Sequence, residues 1–393
     1  MVLLMEIKQI DQMYVANTYK RFPVEIVSGK GSLVYDENGK RYIDMGSGIA
    51  VNSFGIADDV WMSAVTEQLG HVQHTSNLYY TAPCAKLAKT LCERTGMKKV
   101  FFANSGAEAN ECAIKVARKY AAEKRGADVY TILTLQNSFH GRTLTTLAAT
   151  GQDHFHELFQ PLTPGFIHTP ANDLDALIAA TEAQDNKIAA YMIELVQGEG
   201  GVNVLTEEFV HGLCAYAEAH DILVIVDEVQ TGNGRTGALY AYMNYGIQPD
   251  VVTTAKGIGG GLPLGAALMS EKVEHVLRFG DHGSTYGGNP VCCAGAQTVI
   301  DRIDDALLAE VKEKSAYIFD TLRHANGVES VTGMGLMIGV KTEKPAGEVL
   351  AECMEHGVLC LTAKDKIRLL PALNIPMELL KEAIAVLCAA CAK

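Results

Sequence analysis

The sharpest chemical signal in the chain is a lysine followed at once by glycines, Thr253-Thr254-Ala255-Lys256-Gly257-Ile258-Gly259-Gly260-Gly261. A lysine amine can form an imine with an aldehyde, and the glycines let backbone and a small molecule approach closely. A phosphate loop fails on order, because that motif ends in Gly-Lys-Ser/Thr and here the lysine comes first. A dinucleotide fingerprint fits no better, since Pro263 interrupts and no helix is expected to open at Gly259. Taken alone, the run also suits a loop with a solvated charge. Ile225-Val226-Asp227-Glu228-Val229-Gln230-Thr231-Gly232 adds a carboxylate at the end of an apolar run, where open α/β sheets place their ligands. Such a carboxylate can cap a helix, or it can pair with a protonated pyridine nitrogen and keep the ring an electron sink. With Lys256 at the end of the next apolar run, the second role is the better account of Asp227.

Two further segments belong to the same chemistry. Asn104-Ser105-Gly106-Ala107-Glu108-Ala109-Asn110 has Ser105 and Glu108 at the spacing of a capping box, and the same turn turns the free N–H groups of Gly106 and Ala107 toward any phosphate at a helix N-terminus. Ser138-Phe139-His140-Gly141-Arg142-Thr143 offers an aromatic face to stack on a ring and a guanidinium to grip a carboxylate. Each of these residues alone also suits a structural role. His71 with His74, and His154 with His156, lack the carboxylate grouping of a metal site, so no metal is expected.

The elements that must position these residues follow from periodicity. Val- and Ile-rich runs at 100–103, 129–134, 188–193, 222–227, 251–253 and 264–269 read as strands, alternating with helices at 107–124, 173–183, 207–220 and 235–245. That alternation predicts β-α units around a mostly parallel sheet. Asp36-Glu37-Asn38-Gly39 between 33–35 and 41–44 is a hairpin signal. A long helical stretch near 290–324, then strands and a helix after Pro376, sets the last hundred or so residues apart; with the first part they are expected to form a smaller domain.

Composition excludes several classes of function. With 33 Lys plus Arg against 46 Asp plus Glu, the net charge of -13 opposes any surface made to neutralise nucleic acid. No apolar stretch is long enough for a membrane span, and the opening Met1-Val2-Leu3-Leu4-Met5 is cut short by Glu6 and Lys8, so neither leader nor anchor is expected. The 10 cysteines are scattered, as free thiols are in a reducing compartment, which predicts a cytoplasmic protein. Cys292 with Cys293, and Cys388 with Cys391, are read as buried structural thiols.

The segments quoted above, together with Gln197-Gly198-Glu199-Gly200-Gly201 and Gly283-Ser284-Thr285-Tyr286-Gly287-Gly288-Asn289-Pro290, occur in the order typical of class III (ω-amino) aminotransferases. The chain resembles that family from Tyr19-Lys20-Arg21-Phe22-Pro23-Val24 to Arg368-Leu369-Leu370-Pro371, and most of all its acetylornithine branch. The resemblance implies a fold type I α/β transferase with a mostly parallel seven-stranded sheet and a smaller α+β domain drawn from both chain ends. Residues 1–50 would join the small domain, 51–285 would form the large domain that binds pyridoxal 5′-phosphate, and 286–393 would complete the small one. It implies a homodimer with shared active sites.

It also implies roles. Lys256 would be the Schiff-base lysine and proton shuttle, with Asp227 on the pyridinium, Gln230 on the ring hydroxyl and Phe139 stacked on the ring. Gly106 and Ala107 would bind phosphate, and Thr285 would reach the phosphate of the neighbouring subunit, leaving Ser284 to touch substrate. Arg142 would grip the carboxylate of an acylated ornithine and Arg368 that of glutamate, with Glu199 pairing to Arg368 when glutamate is absent. The implied reaction is a ping-pong exchange of N2-acetyl-L-ornithine with 2-oxoglutarate by way of pyridoxamine phosphate. Succinylornithine, 4-aminobutyrate or free ornithine as donor, or a racemase on the same scaffold, are the alternatives. Departures from the family pattern are Glu194-Leu195 for the usual Glu-Pro, Gly55-Ile56-Ala57-Asp58-Asp59 for Gly-His-x-His-Pro, and Gly48 where the free-ornithine branch carries a tyrosine.

Overall fold

Apolar runs buried on both faces belong in the middle of a sheet covered by helices. Ile188–Ile193 and Leu223–Asp227 are such runs, buried at every position in the computed structural model, which describes residues 6–392. The run at 1–5, read above against a leader or anchor, lies outside the described residues.

Across the main sheet the strands run Lys99–Ala103, Gly265–Met269, Val251–Thr254, Leu223–Asp227, Ile188–Ile193, Thr131–Leu135 and Phe166–Thr169. Gly265–Met269 is antiparallel to both neighbours and every other pairing is parallel. This is the seven-stranded, mostly parallel sheet that was expected. The six strands and three of the four helices read from periodicity form within two residues of their expected bounds. Phe166–Thr169, a short edge strand, was not foreseen.

The helix expected over 235–245 does not form; only a short 3₁₀ turn, Ala241–Tyr245, appears there. Its backbone is the reason. Asn233, Gly234 and Gly237 have φ of 58°, 85° and 83°, a left-handed conformation that breaks an α-helix before it can propagate. The stretch near 290–324 is two helices, Pro290–Arg302 and Asp305–Arg323, divided where Asp304 accepts a hydrogen bond from Leu307 N at 2.9 Å and caps the second.

Both chain ends meet. Ile26–Lys30, Leu33–Asp36 and Arg41–Asp44 form an antiparallel ribbon whose last strand pairs in parallel with Val358–Leu359. A second sheet, Val328–Met334, Met337–Thr342, Lys366–Leu369 and Leu361–Ala363, carries Arg368. The loop at 55–59 departs from the family pattern and is anchored by Asp58, which caps the helix Asp59–Leu69 through Trp61 N at 2.9 Å and pairs with Arg302 at 2.8 Å. No helix among the described residues is long and apolar enough to cross a membrane.

Candidate active site

Parallel strands that end on one edge bring their following residues together, and here register decides which. Asp227 lies opposite Thr253, and Val226 lies opposite Ile193, so Asp227, Glu194 and the turn bearing Lys256 are neighbours on that edge. Past Thr254 the chain enters a tight turn, Lys256–Gly259, with Lys256 itself at φ 49°. Ser53 Oγ donates to Gly257 O at 3.0 Å and Trp61 Nε1 to Gly259 O at 3.1 Å, which holds this strained turn from outside.

A cavity of ≈ 450 Å³ opens on the same edge and is lined by Gly106, Ala107, Phe139, Arg142, Asp227, Gln230 and Lys256, seven of the eleven residues singled out from the sequence. Lys256 is half-buried, with no hydrogen-bond partner among the described residues. Burial pushes its ammonium below the ordinary lysine range, with Glu199 opposing and Arg368 assisting. Asp227, 3% exposed, accepts from His140 Nδ1 at 2.8 Å, Asn110 Nδ2 at 2.8 Å and Val229 N at 3.0 Å. Its position is therefore fixed by three donors from three segments.

The helix Gly106–Lys124 begins at the cavity wall. Ser105 Oγ accepts from Glu108 N at 3.2 Å as expected, but the Glu108 carboxylate reaches Asn104 N rather than Ser105 N, so the capping box is only half made. Helix geometry leaves the Gly106 and Ala107 N–H groups without intrahelical acceptors, facing the cavity with the positive end of the helix dipole. A Cβ on Gly106 would lie 2.7 Å from Val229 Cγ1, so only glycine fits between helix and strand end. An amine, a carboxylate and an anion-binding helix start around one cavity fit an aldehyde-bearing pyridine ring that carries a phosphate.

Gln230 links this cavity to a second cluster. Its Oε1 accepts from Arg368 Nη1 at 3.1 Å and its Nε2 donates to Glu199 Oε1 at 3.3 Å, while Arg368 and Glu199 pair directly at 2.6 Å. Burial raises the Glu199 carboxyl, but the Arg368 charge outweighs it and leaves the group below the usual carboxylate range. Arg142 is exposed, with its guanidinium 5.7 Å from the Phe139 ring centre and 5.5 Å from that of Phe155, and it has no acidic partner among the described residues.

Ser284 and Thr285 do not line the cavity. Ser284 Oγ accepts from Asn104 Nδ2 at 3.2 Å at the rim, and Thr285 is exposed. Around them Leu78, Tyr79, Tyr80 and Tyr286 are also exposed, and Asn77 Nδ2 ties that segment to Ser284 O at 2.9 Å. Three residues of the site were not given roles from sequence. His140 and Asn110 hold Asp227, and Asn110 Oδ1 also accepts from Thr253 Oγ at 2.6 Å. Glu194 lines the cavity and accepts from Phe139 N at 2.8 Å.

The family model for aminotransferase class-III matches residues 14–391. The chain is 50% identical to the acetylornithine aminotransferase of Haemophilus ducreyi over 384 residues, 97% of each chain. It is 43% identical to the succinylornithine transaminase of Yersinia pseudotuberculosis, covering 95% of this chain and 93% of that one. Among solved structures, N-acetylornithine aminotransferase from Stenotrophomonas maltophilia superposes with a TM-score of 0.84 at 34% identity, over 97% of both chains. The family model and the relatives cover nearly all of the chain, which belongs to the class-III aminotransferases.

Proposed function

We propose that the chain transfers the terminal amino group of N2-acetyl-L-ornithine to 2-oxoglutarate, giving N-acetyl-L-glutamate 5-semialdehyde and L-glutamate. The observation that carries this is the pair of arginines, Arg142 open and Arg368 masked by Glu199 at 2.6 Å. A donor with its reacting amine far from its carboxylate needs a distant grip, whereas glutamate needs one beside the ring. An arginine that is paired in one half-reaction and released in the other serves both in a single pocket.

Enzymes of this family use pyridoxal 5′-phosphate, which when bound supplies an electron sink for the carbanion formed at the donor's amine-bearing carbon. Gly106 and Ala107 N–H would hold its phosphate, Asp227 its ring nitrogen, Gln230 its ring hydroxyl and Phe139 one face of the ring. Lys256 would be the attachment amine, and its Nζ, whose charged form burial disfavours, would be the group that takes and returns the proton at the donor's amine-bearing carbon. Arg142 orients the acylated ornithine by its carboxylate.

We infer a homodimer in which Thr285 completes the neighbour's phosphate site and Ser284 meets substrate, supported by the exposed apolar residues around that loop. The large domain would span 51–285, with 1–50 and 286–393 forming the small one. All 10 cysteines are free, which suits a reducing cytoplasm. A succinylornithine donor is the second reading, favoured by the Yersinia pseudotuberculosis relative. A panel of donors with 2-oxoglutarate tests the proposal. N-acetylornithine is expected to give the highest kcat/KM; turnover of free ornithine or 4-aminobutyrate above it would overturn the assignment. Glu199→Ala should favour glutamate over acetylornithine, and Arg368→Ala should do the reverse; equal losses with both donors would dispose of the masked arginine.

A further inference from the structure

Glu194 has a geometry that no role assigned so far uses. It follows directly on the buried strand Ile188–Ile193, is 5% exposed, and accepts two backbone hydrogen bonds on separate oxygens: Phe139 N on Oε1 at 2.8 Å and Gly198 N on Oε2 at 3.2 Å. Those donors belong to different loops. Phe139 stands on the loop after Thr131–Leu135, whereas Gly198 opens the tip of the hairpin Val196–Gln197 with Asn203–Val204, and the next residue in that tip is Glu199. The tip has little slack. A Cβ on Gly198 would lie 2.3 Å from Gln230 Oε1, and one on Gly200 would lie 2.3 Å from Asn137 O. Gly198 thus packs closely against Gln230 and is followed in the chain by Glu199, the two side chains that hold Arg368.

We propose that Glu194 is a positioning residue for the exchange of donors: by tethering the Phe139 loop and the Glu199 hairpin through one carboxylate, it sets how readily Glu199 leaves Arg368. This rests on the masked-arginine reading above. Two oxygens that each accept an N–H favour the ionised form, because protonation puts a hydrogen on one oxygen and makes it a weaker acceptor for its N–H. Burial pushes this carboxyl up to about 7, with His140 pulling it down and Asp227 adding to the rise; Lys256 is the other charged group that faces it. The tether is complete above that pH and loosens as pH falls through it, so glutamate use rises relative to acetylornithine use on the acid side.

The test uses holoenzyme in single turnovers with each donor, followed through the cofactor's colour, and takes the ratio of the glutamate rate to the acetylornithine rate. In the wild type the ratio should climb as pH falls from about 8 to 6, through the region where the carboxyl is protonated. In Glu194→Gln, whose amide accepts on one side only, it should be raised about tenfold at pH 8, on the scale of one lost charge-assisted bond, and should no longer bend near neutrality. Glu194→Asp keeps the charge on a shorter arm, so its ratio should still bend with pH; this separates charge from any folding defect. Amide exchange in the apoprotein gives a readout apart from activity: segments containing Phe139 and Gly198 should both exchange faster in Glu194→Gln than in wild type at pH 8. If Glu199→Ala raises the ratio but Glu194→Gln leaves ratio and exchange at wild-type values, the tether is refuted and the masked arginine stands. If Glu199→Ala itself leaves the ratio unchanged, both fall.

Discussion

Asp227 accepts hydrogen bonds from His140, Asn110 and Val229, and two of those donors come from 87 and 117 residues away in sequence. That separation explains what could be read from the chain and what could not. Lys256, Asp227 and Gly106 announce themselves locally, by lying beside glycines, at the end of an apolar run or at a helix start, whereas Glu199 was legible only through the family resemblance. His140, Asn110 and Glu194 matter through partners that only the fold supplies. A signal did exist for Asn110, a polar residue on a helix face whose neighbours Ala109, Ala113 and Ala117 are all buried small apolar residues. Replacing Asp227 by Asn should leave the fold and cofactor binding intact while slowing both half-reactions at least about 100-fold, the scale on which a preorganised electrostatic group acts. A neutral amide no longer favours a protonated ring nitrogen, and its NH2 would face the donors of His140 or Asn110. Near-normal single-turnover rates with unchanged circular dichroism would count against Asp227 as the ring's counter-charge.

Periodicity located the central strands because each is buried on both faces, and it located the helix Gly106–Lys124 because a serine cap precedes a long run of buried positions. It failed at 235–245, where the spacing of apolar residues suits a helix but left-handed backbone at Asn233, Gly234 and Gly237 forbids one. It also missed Phe166–Thr169, a largely half-buried edge strand in which His168 and Thr169 cut short the apolar run that marked the other strands. Between helix start and strand end the fit is close enough to test. In Gly106→Ala the new Cβ would meet Val229 Cγ1 at 2.7 Å and Cγ2 at 2.8 Å, forcing the helix start away from the cavity. Overpacking of this kind costs about 1–3 kcal/mol, which, borne by the cofactor site, predicts a dissociation constant raised by about five- to 150-fold, measured by dialysis or fluorescence. Adding Val229→Ala should restore most of the affinity, since it removes the atoms that the new methyl meets. If the double variant binds no better than Gly106→Ala, the loss arises from backbone freedom at position 106 and not from the contact.

Stability and assembly belong to the molecule as a whole. Glu228 is wholly buried beneath the site, and burial pushes its carboxyl from 4.5 up to about 7 against the pull of the Thr231 hydroxyl and the N–H groups of Ala241 and Tyr242. A carboxyl whose folded value is raised holds a proton that the unfolded chain releases, so its contribution to stability is complete below about 4.5 and is lost by the time pH passes about 7. The melting temperature of the wild type relative to Glu228→Gln should therefore fall across that window, by the equivalent of roughly 1–3 kcal/mol, and stay level outside it. A flat difference would mean that Glu228 stays ionised in the fold. The exposed Leu78, Tyr79, Tyr80 and Tyr286 around the loop of Thr285 raise the other question, whether one chain makes a whole site. Thr285 is exposed and does not line the cavity of its own chain, so its proposed phosphate contact requires a second copy. Chains carrying Lys256→Ala and chains carrying Thr285→Ala should each be impaired as homodimers. In a mixed dimer one site draws Lys256 from the Thr285→Ala chain and Thr285 from the Lys256→Ala chain, and is intact. Equal mixing with free exchange makes half of the dimers mixed and one site in each competent, so activity should recover to roughly a quarter of the wild-type value. Recovery must track the fraction of mixed dimers resolved by native mass spectrometry, and mixed dimers as inactive as their parents would place the whole site within one chain.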